Sequence, residues 1–125
     1  MWLALAVVAV VGLVTVVLGW MGLNGSLPRN HFAGIRTRFT QSSDAAWKAT
    51  HRAGGPYLIF GGVAAAMVAL AFLPFAAAGK VSTGIASVAV IVAATVLVVA
   101  AVAGWQIGVR TARRELAMAQ TDNNL

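Results

Sequence analysis

The sequence predicts an all-α integral membrane protein: three transmembrane helices, with a short interfacial or cytoplasmic helix between the first and second. Three observations carry this. The 125-residue chain is 60% hydrophobic and only 10% charged, with a mean hydropathy of +0.86. A soluble domain carries about 25% charged residues, and one this small has no core large enough to hide such an apolar excess. Residues 1–28, 53–79 and 81–109 contain no Asp, Glu, Lys or Arg, and each stretch can hold the about 20 residues that a spanning helix needs. The charged residues gather between and after those stretches.

Taken in order, the first span covers about residues 2–23, rich in Val, Leu and Ala, with Trp20 near its far end, where the membrane–water boundary favours Trp. It has no basic n-region before it and no clean small-residue cleavage site after it, so it reads as an uncleaved span rather than a signal peptide. Residues 24–56 change character. Asn24-Gly25-Ser26 is turn chemistry with Pro28 close behind. Ser42 or Ser43 is placed to N-cap a short helix with Asp44 in its first turn. Lys48 and Arg52 fall in its later turns, where cations suit the helix dipole, and Gly54-Gly55-Pro56 is expected to stop it. The second span covers about 57–78, with Gly61, Gly62 and Pro74 tolerable inside a membrane helix. A turn at 79–82 leads to the third span, about 83–109, with Trp105 near its end. The tail 110–125 opens with Arg110, Arg113 and Arg114 and is expected to fray. The whole chain reads as a single membrane domain.

Charge orients it. The first loop holds five basic residues (Arg29, Arg36, Arg38, Lys48, Arg52), the tail three and the 79–82 turn one, Lys80. With three spans the loop and tail share a side, and the positive-inside rule makes that side cytoplasmic, with the N-terminus outside. A net charge of +6 raises nucleic acid as a partner. No nucleic-acid motif accompanies the charge, and its placement is that of membrane topology, so lipids are the expected partner and nucleic acid is not.

The first loop carries the one conspicuous motif: Pro28 and Asn30, then Gly34, Arg36, Thr37 and Arg38, then Thr40 and Ser43, then Trp47 with His51 four residues on, and Arg52. This order resembles the signature of the SdpI-like membrane protein family, roughly Pro-x-Asn, Gly-x-Arg-Thr, Thr, Ser, and Trp followed by His. It covers about residues 22–60 in detail. Gln41 departs from it, standing where an apolar residue is expected. Founding members of that family make a bacterium immune to its own secreted sporulation-delaying toxin. The resemblance therefore implies a bacterial inner-membrane protein and a role in immunity or signal relay against a secreted toxic peptide. Those founding members are longer, with additional spans.

From the residues themselves, three readings of the motif stand open: a solvated or lipid-facing basic loop, a structural Arg–Asn–Asp network against the helix ends, and a ligand or partner site. Arg36 and Arg38 would each gain about 1 kcal/mol from an anionic surface, or Arg36 would fork onto backbone carbonyls or Asp44. Trp47 and His51 share a helix face. An interfacial Trp and a hydrogen-bonded His are favoured there over a His–Asp relay with Asp44. His31, His51 and Asp44 match no metal spacing, and the chain has no Cys. No catalytic constellation, phosphate loop or ionisable residue within a span is visible. The expectation is a non-enzymatic protein without cofactor or metal.

Ala100, Gly104 and Gly108 recur every four residues on the third span, a stripe that lets membrane helices approach closely. Most such contacts should join the chain's own helices, and a surplus could dock a partner. The leading expectation from sequence is thus an accessory or regulatory subunit that stabilises a larger membrane complex such as a transporter, with toxin immunity or relay as the alternative.

Overall fold

An uncharged run of Val, Leu and Ala has every backbone hydrogen bond to satisfy internally once it enters lipid, and a helix does that within one segment. The computed structural model describes residues 1–125 as three such helices, α1 (Trp2–Leu23), α2 (Asp44–Ala77) and α3 (Thr83–Asn123), with a 3₁₀ turn at Thr40–Ser42 and no strand. All three are long and apolar enough to cross a membrane, making this a multi-pass membrane protein. Ser43 caps α2 by accepting the Ala46 N–H at 3.0 Å, and Ser82 caps α3 by accepting that of Ile85 at 3.2 Å.

Two helices outrun the bilayer. At about 1.5 Å per residue, the 34 residues of α2 and 41 of α3 exceed the ~30 Å hydrocarbon core. Both extend past the membrane on the side of the first loop. His51 lies level with Gly22, near the end of α1, so residues 44–51 precede the membrane-spanning part of α2, while Gly54 and Gly55, against Gly104 and Gly19, lie where the spans begin.

The separate short helix expected between the first two spans does not exist: residues 44–56 and the second span form one helix. The supposed stop, Gly54-Gly55-Pro56, is where α2 is gripped from both sides. A Cβ on Gly54 would stand 2.6 Å from the Gly104 carbonyl oxygen of α3, and one on Gly55 2.6 Å from that of Gly19 in α1. Local propensity marks this pair as a breaker, but it serves backbone-to-backbone approach, and Pro56 sits on the exposed side. The tail, expected to fray, continues α3 as helix to Asn123. Its Ala, Leu, Met, Glu and Arg content favours helix.

The helices run up, down and up, with α2 central. α1 and α3 each lie along α2 and touch one another little. They meet at the end away from the first loop, where Leu5 and Ala9 share a core with Ala69, Ala86 and Ala89. Towards the loop they part. The outer faces remain apolar, with Val7, Val10, Val88 and Val98 each about 60% exposed, as lipid-facing surfaces require.

Candidate functional site

Backbone bonds pair the loop between α1 and α2 only at its two ends, as at Leu27 and in the Thr40–Ser42 turn, and side chains fold the stretch between. Asn30 folds the first bend. Its Oδ1 accepts the N–H groups of Phe32 and Ala33, both at 2.8 Å, and its Nδ2 donates to the Pro28 carbonyl, a pattern suited to Asx turns. Thr37 and Thr40 fold the second. Thr40 Oγ1 accepts the Thr37 N–H at 2.7 Å and donates to the Thr37 carbonyl, while Thr37 Oγ1 accepts the Thr40 N–H. Gln41, the departure from the family pattern, joins the bends: its Nε2 donates to the Asn30 carbonyl at 2.7 Å, and its own carbonyl accepts from Arg29.

Two buried rings on α2 fasten this loop to the helices. Trp47 and His51, each 1% exposed, lie one turn apart with ring centroids separated by 4.2 Å. Trp47 Nε1 donates to the Leu27 carbonyl at 2.9 Å, at the loop's start. His51 Nε2 accepts the Ile35 N–H at 2.7 Å, in its middle. Nδ1 of His51 faces the Trp47 carbonyl at 2.8 Å. Gly34 lies directly under this contact, at φ +102°, and a Cβ there would stand 2.6 Å from His51 Nε2. The Gly-x-Arg element therefore needs its glycine twice, for backbone angle and for room. Burial pushes His51 below the ordinary imidazole range, against the opposing effect of the Trp47 carbonyl.

Of the two partners expected for Arg36, the backbone carbonyl is the one it takes: exposed, it donates through Nη1 to the His31 carbonyl. Arg29 instead approaches Asp44, at 3.4 Å. Arg38 is exposed. Asp44 does not meet His51, whose two nitrogens are both engaged by backbone groups, so no His–Asp relay forms. Arg52 pairs with Glu115 of α3 at 2.7 Å, and the Arg113 guanidinium lies 4.5 Å over the Phe39 ring. The extended end of α3 thereby braces both the loop and α2.

The small stripe on α3 faces α2. Ala100 lies against Gly61, Gly104 against Gly54 and Gly108 against Thr50. Sequence reasoning missed several residues that complete the site: Gln41, Phe39, Glu115 and Thr50. Opposite charge on the two loop-side segments was the one available signal, for Arg52 and Glu115. Thr50 is fully buried, with a hydroxyl that has no partner, and its residue type alone carried no signal.

The arrangement is a folded cap fastened to the helix ends, with a cationic exposed surface. The sequence model of the SdpI/YfhL protein family matches residues 26–105, from the start of this loop to Trp105. No curated protein and no solved structure matches the chain.

Proposed function

The chain belongs to the SdpI/YfhL protein family, and from that membership we propose that it is a non-enzymatic, immunity-type protein of a bacterial cell membrane. It protects its host against a secreted toxic peptide, or relays that peptide's presence to a cytoplasmic partner. The observation that carries the reading is the extent of the match: residues 26–105 include the whole clamped loop, α2 and most of the third span. A loop bound so fully to itself favours recognition or relay over chemistry. Both His51 nitrogens are in use and Asp44 is beside Arg29, which leaves neither poised to move a substrate proton.

By charge we assign the loop and tail to the cytoplasm, since eight of the nine basic residues lie there. The peptide would then meet the exposed apolar faces of the spans inside the bilayer, and the basic cap would carry the response inward. An accessory role in a larger membrane complex has less behind it, because Ala100, Gly104 and Gly108 are occupied by α2.

The reading is tested by expressing the chain in a bacterium stripped of its own immunity gene and exposing the cells to the secreted sporulation-delaying toxin. Survival above the empty-vector control is expected, as is its loss in Trp47→Ala, which unfastens the loop. Cells that die like the control, with wild-type protein present in their membranes, would refute immunity.

A further inference from the structure

Where α1 and α3 part towards the loop, a lateral groove of about 570 Å³ opens between them. Val11 and Leu18 line one wall, Leu97, Ala101 and Trp105 the other, and Leu58 of α2 forms the floor. Loop residues 34–37 close one end and bring Arg36 to it. A slot left empty would forfeit the dispersion contacts of its walls, so in a bilayer it is filled. We propose that its occupant is one anionic phospholipid, with an acyl chain along the groove and its phosphate on Arg36.

Charge complementarity selects this occupant. Arg36 is exposed and uses Nη1 on the His31 carbonyl. The guanidinium has five N–H donors, and those remaining suit the forked contact that phosphate accepts. No carboxylate competes for it: Asp44 is beside Arg29, Glu115 is paired with Arg52, and Asp122 lies at the far end of α3. Depth agrees. Trp105 shares the groove wall, and Trp favours the headgroup level, which puts Arg36 where a phosphate sits. The tail cations Arg110, Arg113 and Arg114 attract anionic lipid to the surface in general, whereas Arg36 alone of the basic residues borders the apolar slot. The site stands independently of the immunity reading.

The test is native mass spectrometry of the full chain in mild detergent, titrated with phosphatidylglycerol or with phosphatidylcholine of matched acyl chains. A single retained lipid is expected, with phosphatidylglycerol preferred about tenfold, because the choline ammonium of phosphatidylcholine offsets the phosphate charge that Arg36 binds. Arg36→Gln should abolish the preference, lowering phosphatidylglycerol retention more than that of phosphatidylcholine. Ala101→Trp, on an exposed wall position away from the loop, should lower retention of both lipids while the helical circular dichroism is unchanged. The proposal is overturned if Arg36→Gln keeps the wild-type preference, if Ala101→Trp retains lipid like wild type, or if phosphatidylglycerol fills many equivalent sites. Disulfide-linked dimers of Ala101→Cys formed in phosphatidylglycerol vesicles would overturn it too, by giving the groove to a second copy.

Discussion

The Ile35 amide donates to Nε2 of His51 at 2.7 Å, so the ring must carry its single proton on Nδ1, where the Trp47 carbonyl accepts it at 2.8 Å. Neutral imidazole fits this site; a second proton would confront the Ile35 N–H donor to donor. Burial likewise holds the folded-state pKa below the ordinary 6.5. Between the two values the unfolded chain binds more protons than the folded one, so stability rises with pH there. The thermal midpoint in detergent should thus be insensitive to His51 above pH 6.5 and fall as the pH drops below it. His51→Phe should remove that slope and, above pH 6.5, lower stability by about 1–3 kcal/mol, the cost of an unpaired amide, a deficit that narrows as the wild type loses stability at lower pH. An equal slope in His51→Phe would assign the titration to another group.

Gly34→Ala should damage the same contact from the other side. Its backbone lies at φ +102°, and the new methyl would stand 2.6 Å from His51 Nε2. The left-handed backbone alone costs an L-residue about 1–2 kcal/mol. Gly25 supplies a control, since it has φ +78° and nothing within 4 Å of its would-be Cβ. Gly25→Ala should show only the backbone cost, and the excess loss in Gly34→Ala measures the clasp. Hydrogen exchange at the Ile35 amide should accelerate in Gly34→Ala and stay slow in Gly25→Ala.

How much of this was legible in the sequence follows from what each contact uses. The three spans were legible because a missing charge over 27 or more residues has one physical home. The loop's importance was legible too, since Asn30, Thr37, Thr40, Trp47 and His51 are polar or amphipathic types in a fixed order. Their partners were not, because these are mostly backbone groups: the Leu27 carbonyl, the Ile35 amide, the Pro28 carbonyl. Nothing in a side-chain pattern displays them. Asp44 went to Arg29 rather than Arg36 because the Asn30 bend turns the chain between those two arginines. The continuity of α2 through residues 54–56 was hidden for a different reason: local propensity counts glycine as a breaker, and only the neighbouring helices make it an asset.

That asset makes a direct prediction. Gly55→Leu would drive a side chain into the Gly19 carbonyl of α1, 2.6 Å from its first carbon. Overpacking of this sort costs about 1–3 kcal/mol or more, and here the nearest atom is backbone, which cannot rotate aside. The variant should melt earlier and lose resistance to dissociation of α1 from α2 in denaturing detergent. Gly84→Ala, in the first turn of α3 with only Ser82 Oγ nearby at 3.8 Å, should instead gain up to about 1 kcal/mol from better helix propensity. A melt of Gly55→Leu equal to wild type would mean that α1 is not held by this crossing.

Two threonines, both fully buried, should respond in opposite directions to the same change. Thr40 Oγ1 accepts the Thr37 N–H at 2.7 Å and donates to the Thr37 carbonyl at 3.1 Å. Thr40→Val strands that amide and should lower stability by about 1–3 kcal/mol. Thr50 Oγ1 has no partner and lies where α2 meets Gly108 of α3, so its hydroxyl has been stripped of solvent with no bond in return. Thr50→Val keeps the branched shape and removes the stranded group, which should raise stability by about 1 kcal/mol or more. Thermal unfolding of the two variants side by side, in the same detergent, reads the difference in sign. A loss in Thr50→Val as large as that in Thr40→Val would show that the Thr50 hydroxyl finds a partner at the α2–α3 contact.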